Sequence, residues 1–171
     1  MDAAFDILRD GGVEAVKVDH LTRALGVTKG SFYWHFSKRA DLLDAVLAQW
    51  ANDQIEVYTA LANAASDDPR ERLLELNKIF RQNKSMATAR ALRDWARSDQ
   101  DAAAAVTTAD NKMYQYLVHA FSDLGFHGAD AELRAKVWLY SGVGPHLLGH
   151  SLGESNGRAT PEQLLEILTA H

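Results

Sequence analysis

Apolar residues recur at spacings of three and four along most of this 171-residue chain. The runs that begin at Leu42, Leu73 and Tyr114 each place large apolar side chains on one face of a helix. No stretch shows the sustained alternation of apolar and polar residues, bounded by turn dipeptides, that is typical of half-buried strands. The sequence therefore predicts an all-α fold.

Glycines, prolines and capping residues divide the chain into about nine predicted helices. Gly26 is placed to end one helix, whereas Pro69 and Pro161 are placed to begin two others. A boundary between modules is expected near residue 47, which gives domains at 1–47 and 48–171. The predicted helices cover residues 2–10, 18–25, 28–35, 38–63, 67–84, 86–97, 99–124, 130–152 and 161–170.

Cysteine is absent from the sequence, which excludes disulfides, thiolate metal sites and a cysteine nucleophile. No apolar run is long enough to span a bilayer, and no basic segment followed by an apolar one suggests a secretion signal. We therefore expect a cytoplasmic protein that is not associated with a membrane.

The charge of the chain is unevenly distributed. The formal net charge is −5, yet residues 17–39 carry five cations and one anion, so the rest of the chain carries −9. A basic patch on an acidic protein can bind DNA, because phosphates respond to the local field. The five cations are Lys17, Arg23, Lys29, Lys38 and Arg39.

Residues 18–36 have the layout of a helix-turn-helix, in which Gly26 and Val27 separate two short helices. Gly26 can adopt a left-handed conformation at the end of the first helix. Thr28 can cap the second helix by accepting a hydrogen bond from an otherwise unpaired backbone N–H. We therefore expect a tight turn at 26–27, between two helices that pack together.

The second of these helices has two different faces. Phe32 and Phe36 are four residues apart and share one face, whereas Lys29 and Tyr33 share another. We expect the two phenylalanines to be buried in a small core whose other members are Ile7, Leu21, Leu25 and Val27.

Two adjacent cations, Lys38 and Arg39, lie at the expected start of the fourth helix. The helix dipole is positive there and disfavours a cation by about 0.3–1 kcal/mol. A phosphate held at the same helix terminus would reverse that sign. The pair is therefore either a phosphate-binding feature or an ordinary solvated pair.

Residues from about Ala3 to Gln49, and above all GVTKGSFYWHFSKRADLLDAVL at 26–47, resemble the DNA-binding domain of the tetracycline-repressor (TetR) family. That family joins a helix-turn-helix to a helical domain for ligand binding and dimerisation. The resemblance implies a repressor, without enzymatic activity or cofactor, that a small-molecule effector releases from a palindromic operator. A transcriptional activator and a protein-interaction module with the same head are the alternatives.

The resemblance also implies roles for individual residues. Residues 28–31 would meet base edges or the nearby backbone of double-stranded DNA, whereas Tyr33, His35 and Arg39 would contact phosphate. Trp34 would lie either on the duplex backbone or against the first helix. The complete predicted DNA-binding set is Lys17, Thr28, Lys29, Gly30, Ser31, Tyr33, Trp34, His35, Lys38 and Arg39.

Two residues depart from the family pattern. Lys38 replaces the small capping residue that is usual there, so we expect Ser37 to cap the fourth helix instead. Asp19 lies near the DNA-facing end of the second helix, where a carboxylate repels phosphate unless it caps the helix or discriminates against a base.

Large rings and polar groups after residue 50 are candidates for an effector pocket, because such pockets are mostly apolar with a few polar groups. Most of these residues are expected to be core, and the sequence does not identify the effector. The predicted ligand-binding residues are Phe80, Asn83, Trp95, Tyr114, His119 and Trp138.

Two weaker motifs occur near the end of the chain. His146 and His150 have the spacing of two metal ligands on a helix, but the metalloprotease glutamate is absent, so packed histidines and no metal site are expected. The sequence GHSLG at 149–153 matches the hydrolase elbow. It lacks the strand before it and the catalytic partners after it, so the fit is rejected.

The last two predicted helices combine small and large apolar residues, which allows close helix packing. Two copies of this pair would form a four-helix interface between the protomers of a homodimer. Dimerisation also suits the expected function, because a two-fold dimer reads two half-sites about 34–36 Å apart, or a multiple of that spacing. An ordinary monomeric core is the alternative.

Overall fold

The computed structural model describes residues 1–82, 84–148 and 160–170. Within these residues the regular structure is helical and contains no strand, so the predicted all-α fold is confirmed. A 3-10 turn at Val13–Ala15 follows the first helix. The helices are α1 (Asp2–Gly11), α2 (Val18–Leu25), α3 (Lys29–His35), α4 (Arg39–Ala48), α5 (Ile55–Ala65), α6 (Pro69–Gln82), α7 (Ser85–Ala96), α8 (Gln100–Asp123), α9 (Ala129–Leu148) and α10 (Pro161–Leu168).

A π-helical segment at Gln49–Gln54 joins α4 to α5, so the backbone is helical without a break from 39 to 65. This continuous helix corresponds to the fourth helix predicted from the sequence. Counted in this way, the described residues contain nine helices, as predicted. Residues 149–152, at the expected end of the eighth predicted helix, lie outside the described part of the chain.

The chain divides into two compact units. The first consists of residues 1–54 and 87–109, and the second of residues 55–86 and the described residues from 110 onward. One division falls between the π-helical segment and α5, and another falls within α8. The domain boundary expected after residue 47 stays a prediction.

The core of the first unit is formed where α1, α2, α3 and α4 each contribute an apolar side chain. In α1 the buried residues lie at positions 4, 5 and 8, which share one face of the helix. Phe32 is buried, as predicted, whereas Phe36 is half-buried. Buried apolar residues of this region include Phe5, Leu8, Val16, Leu21, Phe32, Leu42 and Val46.

The predicted burial of Leu25 and Val27 is wrong, because these side chains are 54% and 43% exposed. Leu25 is the last residue of α2, and the left-handed Gly26 changes the direction of the chain before Val27. The helical periodicity therefore ends before Val27, and Leu25 lies at the last position of α2. Val16 and Leu42, from outside the helix pair, are buried instead.

The turn between α2 and α3 forms as its residue types predict. Gly26 has φ 65° and ψ 27°, a left-handed conformation that favours glycine. The Val27 N–H donates to the Thr22 carbonyl at 3.0 Å and closes the end of α2. The Ser31 N–H donates to Thr28 Oγ1 at 3.2 Å, so the predicted cap of α3 is confirmed.

In the second unit, α5 packs on α6, and α10 packs on α6 and α9. The Ser85 hydroxyl donates to the Tyr58 hydroxyl at 2.7 Å in a buried position, and the Tyr58 ring meets Phe80 edge-on. This hydrogen bond satisfies two polar groups whose burial would otherwise be costly. Fully buried side chains here include Ala62, Leu73, Leu117, Phe121 and Leu165.

Replacing Phe32 by alanine should destabilise the first unit by about 3–5 kcal/mol, because the ring is 5% exposed and its loss leaves a cavity. Trp34→Ala is the matched control, since this ring lies in the same helix but is 82% exposed. We expect the control to change stability by no more than about 0.5 kcal/mol. Urea unfolding followed by circular dichroism measures both, and equal losses would contradict the core assignment.

Candidate nucleic-acid interface

Helix α3 is held by one side chain and presents the others to solvent. Every residue from Lys29 to His35 is exposed except Phe32. The predicted base-contacting segment and the predicted phosphate-contacting rings therefore share one short, accessible helix. Such a helix has the size of the element that enters the major groove in helix-turn-helix proteins.

Trp34 points away from the core of the first unit. Residues two apart on a helix lie on nearly opposite sides, so burial of Phe32 turns Trp34 toward solvent. The indole meets His35 edge-on, with 4.6 Å between ring centroids. The alternative in which Trp34 packs against the first helix is therefore wrong, and its contact with a duplex stays a prediction.

The first turn of α3 is compact and polar. The hydroxyls of Thr28 and Ser31 lie 3.2 Å apart, and the Thr28 hydroxyl also accepts the Ser31 N–H. A methyl group placed on Gly30 would lie 3.5 Å from Thr28 Oγ1, which is ordinary van der Waals contact. The fold itself therefore does not require glycine at this position, whereas close approach of another molecule to the backbone would.

Lys29 forms an ion pair with Asp19 across the helix-turn-helix. Lys29 Nζ lies 2.7 Å from Asp19 Oδ1, and both side chains are about 60% exposed (63% and 59%). The hydrogen bond from Lys29, together with the attraction of its charge, lowers the pKa of Asp19, and the same contact raises the pKa of Lys29. Both groups are therefore ionised at neutral pH. Sequence reasoning identified the two residues separately but missed their pairing.

The N-terminus of α4 carries its own anion. Lys38 is the N-cap residue, and its backbone N–H donates to Asp41 Oδ2 at 3.1 Å. The expectation that Ser37 caps this helix is wrong, because Asp41 can accept the N–H of Lys38 from the first turn. The Asp41 carboxylate also offsets the helix dipole that would disfavour Lys38 and Arg39.

Arg39 makes two hydrogen bonds inside the first unit. Its Nε donates to the Val16 carbonyl at 2.6 Å, and its Nη2 donates to the Val13 carbonyl at 2.5 Å. The half-buried guanidinium thereby joins the start of α4 to the 3-10 turn that leads into α2. A contact between Arg39 and phosphate stays a prediction.

The remaining predicted cations are accessible. Lys17 is the N-cap residue of α2, and Lys38 is the N-cap residue of α4, and both side chains are exposed. Arg23 and His20 are also exposed on α2, and both attract the Asp19 carboxylate. Neither residue is in the predicted DNA-binding set, although both lie within the basic segment 17–39.

The predicted effector residues are divided between the two compact units. Trp95 belongs to the first unit and is buried, whereas the others that are described belong to the second unit. There Trp138 is buried, Phe80 and Tyr114 are half-buried and His119 is exposed. Asn83 lies outside the described residues. The ligand-binding set therefore stays a prediction.

An open groove of about 420 Å³ lies between α5 and α8 in the second unit. The Glu56–Lys112 ion pair joins these helices at 2.8 Å. The Tyr116 hydroxyl donates to Asn63 Oδ1 at 2.8 Å, and burial raises the pKa of Tyr116. None of the predicted effector residues lines this groove. Its walls are Ile55, Glu56, Thr59, Asn111, Lys112, Gln115 and Tyr116.

The described residues also bear on the predictions about metal binding and membrane spans. Residues 1–82, 84–148 and 160–170 hold no group of three or more metal-ligating side chains. The side chain of His146 and the whole of residues 149–153, including His150, fall outside the described residues. Within the described helices, none has both the length and the apolar character needed to cross a bilayer.

Comparison with known proteins agrees with this geometry. Residues 1–46 match the family model of bacterial regulatory proteins of the tetR family. The tetracycline repressor protein class A from transposon 1721 of Escherichia coli is 31% identical over 157 residues, covering 90% of this chain and 66% of the repressor. The HTH-type transcriptional regulator SrpR of Pseudomonas putida is 42% identical over 48 residues, 28% of this chain and 22% of SrpR. The chain thus spans less than two thirds of these relatives.

Solved structures share the same fold. A TetR transcriptional regulator from Legionella pneumophila has a TM-score of 0.74 at 17% identity, covering 98% of this chain and 90% of that one. FadR from Bacillus subtilis, solved in complex with stearoyl-CoA, has a TM-score of 0.65 at 16% identity, covering 99% of this chain and 95% of that one. Residues 1–46 thus belong to the tetracycline-repressor family of DNA-binding domains, and the chain has the fold of TetR-family regulators.

Replacing Arg39 by lysine should destabilise the first unit by about 1–2 kcal/mol, because one ammonium cannot span both carbonyls that the guanidinium reaches. The charge is retained, so the change tests hydrogen-bond geometry alone. Arg23→Lys makes the same chemical change at an exposed position and should be neutral. Thermal unfolding with a two-state fit measures the difference, and equal stability of both variants would show that the two hydrogen bonds contribute nothing.

Proposed function

We propose that this protein is a homodimeric transcriptional regulator that represses its target by binding a palindromic operator. A small-molecule effector releases it from the DNA. The observation that carries the proposal is the exposed helix α3, capped by Thr28 and held by Phe32. It lies in a segment of positive local charge within a protein of negative net charge. That local charge favours phosphate binding at this segment.

Helix α3 supplies base contacts in this proposal. Thr28, Lys29, Gly30 and Ser31 form the polar start of the helix, where the small Gly30 and Ser31 suit close approach to base edges in the major groove. Lysine and serine can both donate hydrogen bonds to base acceptors. Their exposure means that binding requires no unfolding of the head.

The surrounding side chains supply backbone contacts. Tyr33, Trp34 and His35 extend from the second half of α3, while Lys17 and Lys38 mark the starts of the flanking helices. Contacts to phosphate fix the register of a protein on the duplex without reading its sequence. Arg39 would support them by holding α4 to the turn before α2.

An exposed apolar strip supports dimerisation through α9 and α10. Leu133, Val137 and Tyr140 follow one another at spacings of four and three, so they share one face of α9, and all three are exposed. Ile167 is likewise exposed on α10. A second copy of the same two helices would bury this strip in a two-fold interface. Two α3 helices would then be available for two half-sites.

Effector control is the finer part of the proposal, and two observations support it. The relatives include a tetracycline repressor and a regulator solved with stearoyl-CoA, so family members bind small molecules. The helix that begins in the DNA-binding head continues without a break into α5, which lines the groove in the second unit. A ligand that favours one arrangement of this helix by about 1–3 kcal/mol would change operator affinity by the corresponding factor, about 5- to 150-fold.

The first test is a salt-titrated gel-shift assay with the DNA upstream of the gene for this protein. We expect binding at low ionic strength, with an affinity that falls steeply as salt rises. Lys38→Ala should make the slope of log affinity against log salt shallower by about one, because one phosphate contact is lost. Lys78→Ala removes the same charge from the second unit and should leave the slope unchanged. Failure of the unaltered protein to bind any duplex would contradict the proposal.

The second test concerns the dimer. Tyr140→Glu should convert a dimer into a monomer in sedimentation equilibrium, because it places a charge in the centre of the proposed interface while the ring is 66% exposed in one protomer. Leu61→Glu is the control, since Leu61 is also an exposed apolar residue but belongs to a different helix, α5. A Tyr140→Glu protein that stays dimeric would contradict the assigned interface.

A further inference from the structure

The Asp19–Lys29 ion pair lies at the centre of the surface assigned to DNA and has a property that neither residue has alone. One member is in the first turn of α2 and the other is the first residue of α3. The pair presents a donor and an acceptor side by side, 2.7 Å apart, and both are accessible to solvent. This inference rests on the proposed function, since it concerns how the same surface selects its DNA.

In contact with phosphates alone, the pair would weaken DNA binding. The carboxylate of Asp19 repels the backbone of any duplex, and Lys29 is already partly neutralised by Asp19. A lysine that stays paired releases no counterion from DNA, so it adds nothing to non-specific affinity. Arg23 also attracts this carboxylate, but its side chain is exposed and can turn toward phosphate.

The edge of a G·C base pair offers the complementary arrangement. In the major groove, guanine presents the acceptors O6 and N7, and cytosine presents the N4 amino donor. Guanine O6 and cytosine N4 are joined by a hydrogen bond of about 2.9 Å, close to the separation of the Lys29 and Asp19 atoms. The ammonium can therefore donate to guanine while the carboxylate accepts from cytosine.

We propose that the Asp19–Lys29 pair reads one G·C base pair in each operator half-site. Lys29 donates to guanine O6 and N7, and Asp19 accepts the free N–H of cytosine N4. The two side chains stay together in the complex, so every charge and donor keeps a partner. On other sequences no donor lies beside the two guanine acceptors, and the pair opposes binding.

An A·T pair is the nearest competitor, because it also places a donor beside an acceptor. The order is reversed, however, since adenine N6 donates and thymine O4 accepts. Thymine O4 gives the ammonium one acceptor instead of two, and the C5 methyl group stands beside it. The pair should therefore discriminate G·C from A·T by roughly 5- to 150-fold, which is the range for a good bidentate base contact.

The experiment compares the unaltered protein with Asp19→Asn and with Asp44→Asn. The control makes the same chemical change at an exposed residue of α4 in the same unit. Each protein is used to select duplexes from a randomised DNA library at fixed salt. Dissociation constants are then measured for the selected half-site, for its G·C-to-A·T variant and for a random duplex over a salt series.

The unaltered protein and the Asp44→Asn control should select a G·C pair in each half-site and lose roughly 5- to 150-fold in affinity when it is changed to A·T. Asp19→Asn should lose that discrimination. It should also bind the random duplex more tightly, with a salt slope steeper by about one, because Lys29 is free to contact phosphate. Both variants should keep the melting temperature of the parent, since Asp19 and Asp44 are exposed.

The proposal is wrong if Asp19→Asn keeps every base preference of the unaltered protein. It is also wrong if the lost preference is for an A·T pair, or if Asp44→Asn has the same effects as Asp19→Asn. In all these outcomes the unaltered protein still selects DNA, and its proposed function stands. Selection of no sequence by the unaltered protein would overturn the operator function and the base assignment together.

Discussion

Helix α3 has only seven residues and would not be stable in isolation, so its shape depends on the burial of the Phe32 ring. That ring fixes the rotation of the helix about its axis and turns Trp34 outward. The Thr28 cap and the left-handed Gly26 define where the helix begins. The exposed surface of α3 thus depends on one apolar contact and two local backbone features.

The cations of the basic segment are not equivalent, although the sequence presents them as one patch. Arg39 is used inside the first unit, and Lys29 is paired with Asp19, while Lys17 and Lys38 are exposed at helix starts. Only exposed cations without an internal partner contribute fully to counterion release. An affinity for DNA judged from the number of cations in a patch is therefore too high when some of them already bind backbone carbonyls or a carboxylate of the same protein.

Local features could be predicted from the sequence, and tertiary ones could not. The Gly26 turn and the Thr28 cap depend on residues within four positions of each other, and both are confirmed. The outward position of Leu25 and the pairing of Asp19 with Lys29 depend on the path of the chain through the turn. Arg39 meets carbonyls more than twenty residues earlier, which periodicity cannot reveal. The second unit shows the same limit, since its groove is lined by none of the residues chosen for their chemistry.

The four tryptophans differ sharply in their surroundings. Trp50, Trp95 and Trp138 are buried, and Trp34 is almost fully exposed at the end of α3. The indole emission of the folded protein therefore contains one solvent-quenchable component that originates in the DNA-binding head and three shielded components. A soluble quencher such as acrylamide will act first on Trp34, so the protein carries a built-in optical reporter of what approaches its recognition helix.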